Sequence, residues 1–209
     1  MLTKITMFLF FIFSVEKIFA DDEIIIQPDY WEGSKCVENG VPYQVPASIY
    51  KEAENCTKDD IVLELGTGGS TIFLAKRCKH VTAIETDQSW AILMIDQLNK
   101  LNLQNVDLLY IPNQNDIELF LKSFNTEDIS IFSVDTSNGY NRSAFVNEFF
   151  QHGVSKQLRM IVLDNYGNYE LFPDHYNKDV VEPNEWDIYT YDDWRWSGNG
   201  TRLYIKKSN

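Results

Sequence analysis

From residue 60 onward the chain alternates between two kinds of segment. Short apolar runs at 61–63, 80–84, 106–111, 129–134 and 160–163 read as strands buried on both faces. Between them, apolar residues recur at spacings of three and four, the mark of a helix with one apolar face. The first such segment covers 70–76, after the turn 66–69, with Ser70 or Thr71 placed to cap it. The second is capped by Asp87 and carries Trp90, Leu93, Met94, Leu98 and Leu101. Ile117, Phe120, Leu121 and Phe124 mark a third. Phe145, Val146, Phe149 and Phe150 mark a fourth, and Gly153 is placed to end it. The final pattern differs: Trp186, Ile188 and Thr190 alternate, then Leu203 and Ile205, as in a hairpin. Five strand–helix alternations and a terminal hairpin predict an α/β fold. Its sheet is doubly wound and seven-stranded, mostly parallel, with an antiparallel C-terminal hairpin strand.

Residues before 60 follow another pattern. Lys4 precedes an apolar run at 5–15, and Phe19-Ala20 meets Asp21-Asp22. The run is short for a membrane span and has the length of a signal-peptide core. Residues 1–20 are therefore expected to be a signal peptide, 21–57 a cap or lid, and 58–209 the main domain. The chain would be secreted, lumenal or periplasmic, with no stable membrane insertion after cleavage, and cytosolic if the leader stays. Residues 21–45 read as irregular and 46–55 as a short helix, with Pro46 in its first turn. Cys36 and Cys56 can pair if the chain is exported; buried free thiols are the alternative. Sequons stand at Asn55, Asn141 and Asn199.

Among the 209 residues, 44% are apolar and 14% aromatic, enough for a sizeable core. The net charge of -13, with 18 scattered Lys and Arg, repels phosphate backbones, so no nucleic-acid partner is expected. The oligomeric state is left open.

The stretch LELGTGGST, 63–71, places a glycine turn after a strand. Glycine lets the backbone approach a ligand, and ligands of open parallel sheets sit at the carboxyl ends of strands. A dinucleotide fingerprint would need glycine where Thr71 stands, and its strand would be apolar where Glu64 stands. No Gly-Lys-Ser/Thr follows, which excludes a P-loop.

The pattern Glu64-x-Gly66-x-Gly68-x-x-Thr71 resembles motif I of the class I S-adenosylmethionine-dependent methyltransferases, a Rossmann-like superfamily. Glu85, 17 residues after Gly68 and at the end of the second strand, stands where that family has a carboxylate for the ribose hydroxyls. The resemblance covers about residues 58–206 and includes the hairpin. It implies S-adenosyl-L-methionine as cofactor and a small-molecule methyl acceptor, with oxygen as the expected acceptor atom. Gly66, Thr67 and Gly68 would pass under the methionine and ribose, with Ser70 and Thr71 completing the turn. Glu64 would lie near the aminocarboxypropyl group, and Asn113 to Asp116 would flank the adenine. The plainer alternatives are a turn-capping carboxylate for Glu64 and a solvated strand end for Glu85.

Asp135, with Asp164-Asn165, is similar to the metal triad of catechol-type and caffeoyl-CoA-type O-methyltransferases. That likeness implies a divalent cation such as Mg, which lowers the pKa of a bound hydroxyl. The GGST turn, the IETDQSW segment and WSGNGTRLYIK also look like a family of small methyltransferases in which the two Asp form a polar floor without metal. Asp135, Asp164 and His175 are the candidate catalytic bases. Tyr30, Trp31, Tyr43, Tyr166, Trp194 and Trp196 are candidates to shape the acceptor pocket, with ordinary packing as the alternative. Two other functions stay open: a nicotinamide-dependent oxidoreductase, and a non-catalytic secreted binding module on the same fold.

Overall fold

A computed structural model describes residues 36–38, 41–43, 49–136, 142–151, 155–164, 185–191 and 201–207. The expected leader at 1–20 lies outside these, as do Tyr30, Trp31, Asn141, Gly153, Asn165, Tyr166, His175, Trp194, Trp196 and Asn199.

The N-terminal strands β1 (Cys36–Glu38) and β2 (Val41–Tyr43) pair antiparallel. This corrects the expectation of an irregular segment. Asn39-Gly40, a pair suited to a two-residue hairpin loop, stands between them in the sequence. Helix α1 (Ile49–Asn55) follows.

The main body alternates as the pattern predicts. Its elements are β3 (Ile61–Leu65), α2 (Gly69–Arg77), β4 (His80–Glu85), α3 (Gln88–Lys100), β5 (Val106–Tyr110), α4 (Gln114–Ser123), β6 (Ile131–Val134), α5 (Arg142–Gln151), β7 (Met160–Asp164), β8 (Trp186–Tyr191) and β9 (Thr201–Lys206). The sheet has seven strands in the order β5-β4-β3-β6-β7-β9-β8. β3 pairs parallel with both β4 and β6, while β9 runs antiparallel between β7 and β8. The doubly wound sheet with an inserted antiparallel strand is thus present as expected.

Both faces of the sheet are covered. Leu63 and Leu65 pack toward Ile117 and Leu121 of α4 and Phe145 and Phe149 of α5, where Phe132 stacks on Phe149 at 3.9 Å. Val62, on the opposite face, packs with Phe73 and Leu74 of α2. Alternation along β3 turns Glu64 toward the same face as Val62. Helix α2 starts one residue earlier than expected, at Gly69, so Ser70 and Thr71 lie inside its first turn. Thr71 Oγ1 reaches back to accept from the Gly68 N–H at 2.9 Å.

Three details set the geometry of the strand ends. At the amino end of β3, buried Asp60 gathers several donors. Ser130 Oγ and Arg159 Nε donate to its Oδ1 at 2.8 and 2.9 Å, and the Thr57 N–H donates to Oδ2 at 2.6 Å. Burial opposes its ionisation, yet these hydrogen bonds and the Arg159 charge hold its carboxyl below the ordinary value. In the middle of the sheet, Glu64 is fully buried, and neither carboxylate oxygen has a well-formed hydrogen bond. Burial pushes its pKa up to about 7; the nearby Ser70 and Thr71 hydroxyls counter this in part, and the Glu85 charge adds to it. At the carboxyl end, Gly66 has φ +97°. Any Cβ there would collide with the carbonyl of Asp135, beyond the end of β6.

These details predict how stability depends on pH and on one side chain. Asp60, with its proton affinity lowered, stabilises the fold above pH about 4, and this is lost as pH falls through its folded value. Glu64, with its proton affinity raised, acts in the opposite sense. Its stability is complete below its ordinary value of 4.5 and is lost as pH rises through about 7. Replacing Glu64→Gln should remove the high-pH loss, a gain of about 3 kcal/mol at pH 9. Urea unfolding of both proteins from pH 5 to 9 measures this, and a flat profile for the unsubstituted chain would contradict it. Gly66→Ala should cost more than about 2 kcal/mol in the same assay, because both backbone angle and space exclude a methyl group.

Candidate cofactor site

The switch point of the sheet lies between β3 and β6, where connections leave in opposite directions. Ligands of open α/β sheets bind in the crevice at that point, beyond the carboxyl ends of the strands. A cavity of about 480 Å³ opens there. Gly66, Thr67, Glu85 and Asp135, all named from the sequence, line it. So do Asp87, Ser89, Trp90 and Leu93, which the sequence reading placed as a cap, in the IETDQSW segment and on a helix face. Their signal was position: residues just after Glu85 must leave the carboxyl end of β4 beside the same crevice.

Glu85 organises this cavity. It is 6% exposed, and its Oε1 accepts from the backbone N–H groups of Thr86 and Asp87 at 2.6 and 2.9 Å. Its Oε2 accepts from the Thr67 N–H at 3.2 Å and from the Thr67 hydroxyl. Trp90 Nε1 donates to the Thr67 carbonyl at 2.7 Å, while Asp87 caps α3 by accepting from the Trp90 N–H at 2.8 Å. The glycine turn is therefore held from β4 and α3 through Thr67. A Cβ built at Gly68 meets no atom within 4 Å. The protein itself leaves that side of the turn open, so glycine there keeps clear a space that a ligand can enter.

The other wall is acidic but neutralised from within. Asp135 exposes 23% of its side chain to the cavity, and Arg142 of α5 exposes 7%. Arg142 Nη2 donates to Asp135 Oδ1 at 3.4 Å and to the Thr136 carbonyl, and Nη1 donates to the Asp164 carbonyl at 2.8 Å. Asp164 Oδ1 accepts from Thr201 Oγ1 of β9 at 2.6 Å. Burial, then the charge of Asp164, raises the proton affinity of Asp135 well above the ordinary value, and Arg142 opposes this only in part. Asp135 and Asp164 are thus brought together as the sequence suggested. Arg142 was missed, because nothing in its local spacing marks it as facing two strand ends.

The remaining candidates divide. Glu64, Ser70 and Thr71 are buried behind the turn rather than on the cavity wall. They can act on a ligand only through the backbone of 66–69. Asn113 and Asp116 lie exposed at the start of α4, where Asn113 Nδ2 donates to Asp116 Oδ2 at 3.1 Å. Neither lines the cavity. Asn165 and His175 lie outside the described residues. Among the described residues, no group of three or more His, Cys, Asp or Glu side chains is placed to hold a metal ion. The Arg142 guanidinium supplies positive charge beside Asp135, while the Asp164 carboxylate accepts from Thr201.

No protein-family model matches the chain. A curated relative is the probable cobalt-precorrin-6B C(15)-methyltransferase (decarboxylating) of Methanocaldococcus jannaschii, 26% identical over 117 residues. That match covers 47% of this chain and 64% of the relative, so the chain spans less than two thirds of that protein. Among solved structures, an rRNA methylase from Streptococcus thermophilus superposes with a TM-score of 0.55 at 18% identity, covering 79% of this chain and 98% of that one. The O-methyltransferase TomG from Streptomyces achromogenes, solved with S-adenosylmethionine, gives 0.54 at 18% identity, covering 79% and 82%. The chain therefore has the fold of the class I S-adenosylmethionine-dependent methyltransferases.

Proposed function

We propose that the chain is an S-adenosylmethionine-dependent methyltransferase that acts at oxygen on a small-molecule acceptor. The observation that carries this reading is the Glu85 carboxylate, set at the end of β4 on the cavity wall and hydrogen-bonded to Thr67 of the glycine turn. A carboxylate in that place is suited to accept from ribose hydroxyls once the Thr67 hydroxyl turns away, and it rejects a phosphorylated ribose. The open side of Gly68 admits the aminocarboxypropyl part against bare backbone. When bound, the cofactor supplies a methyl group on a positively charged sulfur.

The protein's share of the chemistry is placement and proton handling. Asp135 borders the cavity, and its raised proton affinity makes its carboxylate a stronger base than an ordinary Asp. It is suited to take the proton of an acceptor hydroxyl, and Arg142 fixes its orientation. Alignment of the two reactants in a closed site supplies much of the remaining acceleration. The reading needs no metal: Arg142 sets a positive charge beside the Asp135 carboxylate and binds the Asp164 backbone carbonyl. The net charge of -13 favours a small acceptor over RNA. Residues 1–20 support export, and mass spectrometry of the mature N-terminus tests that.

Isothermal titration with S-adenosylmethionine and its demethylated product is expected to show binding of both, and silence at millimolar concentration would defeat the proposal. NADH should show no fluorescence enhancement on mixing. Glu85→Ala should weaken the cofactor at least about tenfold, the loss of charge-assisted hydrogen bonds. Mg2+ titrated into the protein saturated with demethylated cofactor should give no heat; a saturating isotherm would restore the metal mechanism. Methyl transfer to total RNA, with none to hydroxylated small molecules, would overturn the choice of acceptor.

A further inference from the structure

Away from the cavity, the segment after α1 lies against the end of α2. Three hydrogen bonds join them. Lys58 Nζ donates to the Lys76 carbonyl at 2.5 Å, and the Asp60 carbonyl accepts from the Lys79 and His80 N–H groups at 2.8 and 3.3 Å. Between these contacts sit two cysteines. Cys78 follows the last residue of α2 and is 3% exposed. Cys56 follows α1, is half-buried, and packs against the apolar cluster that contains Cys78. The two thiols lie in one apolar cluster, and both are free. Each is anchored by its own backbone, Cys56 N–H donating to the Glu52 carbonyl and Cys78 N–H to the Leu74 carbonyl, both at 2.8 Å.

We propose that Cys56 and Cys78 form a redox pair that closes to a disulfide and clamps the end of α2 to the segment after α1. The sequence offered Cys36 as a partner of Cys56; packing against the cluster that contains Cys78 favours Cys78 instead. Closure needs an oxidant, and a small disulfide such as oxidised glutathione suffices. Cys56, the more exposed thiol, loses its proton to solvent and attacks one sulfur of that disulfide, releasing one thiolate. Cys78 then loses its proton and attacks the Cys56 sulfur, releasing the second. Two protein thiols lose two protons and two electrons in all, and one small disulfide becomes two thiols.

The surroundings set the pace of this exchange. The nearby Cys78 thiol and burial hold the Cys56 proton tightly, and Glu52 of α1 and Asp60 add to this. Arg77 of α2 is the nearby cation, stacked over Phe73 with its guanidinium carbon 4.1 Å from the ring centre. Thiolate is scarce at neutral pH, so closure is slow there and quickens as pH rises.

The test uses the full reduced chain, incubated with oxidised glutathione at pH 7 and pH 9, alkylated, and mapped by mass spectrometry. A Cys56–Cys78 bridged peptide is expected, formed faster at pH 9, and formed equally in Cys36→Ser. Bridging closes a loop of about twenty residues, so the oxidised protein should melt roughly 10 °C above the reduced one. A dithiol reductant should reverse that rise, and Cys56→Ser should lack it. Alkylation or glutathionylation of both thiols in folded Cys36→Ser, or a Cys36–Cys56 bridge in the unsubstituted chain, would overturn the proposal.

Discussion

The backbone of β3 can pass beside the end of β6 only because residue 66 has no side chain. The Gly66 N–H donates to the Ile84 carbonyl at 2.8 Å, and the Asp135 N–H donates to the Leu65 carbonyl at 2.7 Å. The three strand ends are thereby drawn to one line, with the Gly66 Cα against the Asp135 carbonyl. Everything on the cavity wall is measured from that contact. It aims the turn toward Glu85 and sets Asp135 on the opposite side. A side chain at 66 would push β3 and β6 apart at the point where the site is built.

Around that contact, charge is handled in three ways. Asp60, at the far end of β3, is ionised and fully bonded, and it ties the starts of β3, β4 and β7 together through Arg159 and the carbonyl that serves Lys79. Glu64, two turns of the pleat later, is buried with no good hydrogen bond and keeps its proton near neutrality. Asp135 and Asp164 crowd one another, and the crowding is eased by Arg142. Burial alone would favour neutral carboxyls everywhere, and the donors present decide each case. The result is a rigid amino end and a proton-holding carboxyl end on one sheet. That division suits a fold in which stability and chemistry occupy opposite edges.

Much of this was legible in the sequence. Apolar runs of four to six residues mark β4, β6 and β7 because both faces of a central parallel strand are buried, so alternation vanishes. β5, expected to be buried on both faces, is only partly buried because it lies at the edge of the sheet. The terminal hairpin was legible for the converse reason. Glu64, Gly66, Gly68 and Thr71 pointed to a cofactor turn, and Glu85 to its partner, since acids at strand ends stand out against apolar runs. Other features were hidden. The β1–β2 pairing has strands of three residues each, too short to show a period. Trp90 and Leu93 read as core because a helix face toward a cavity has the same spacing as one toward a core. Arg142 and the Cys56–Cys78 contact join residues far apart in the chain, and no local pattern records them.

The sequence by itself determined the order and type of the elements, the chirality-limited set of sheets they could build, and which residues lie at strand ends. Periodicity and turn chemistry are local, so one chain carries them without alignment to others. Only the tertiary structure decided which strand ends meet and which acid keeps its proton. It also decided that a guanidinium lies beside Asp135, and that Cys56 packs against the cluster containing Cys78. Those outcomes depend on distances between segments, and distance across a fold is set by packing rather than by spacing along the chain.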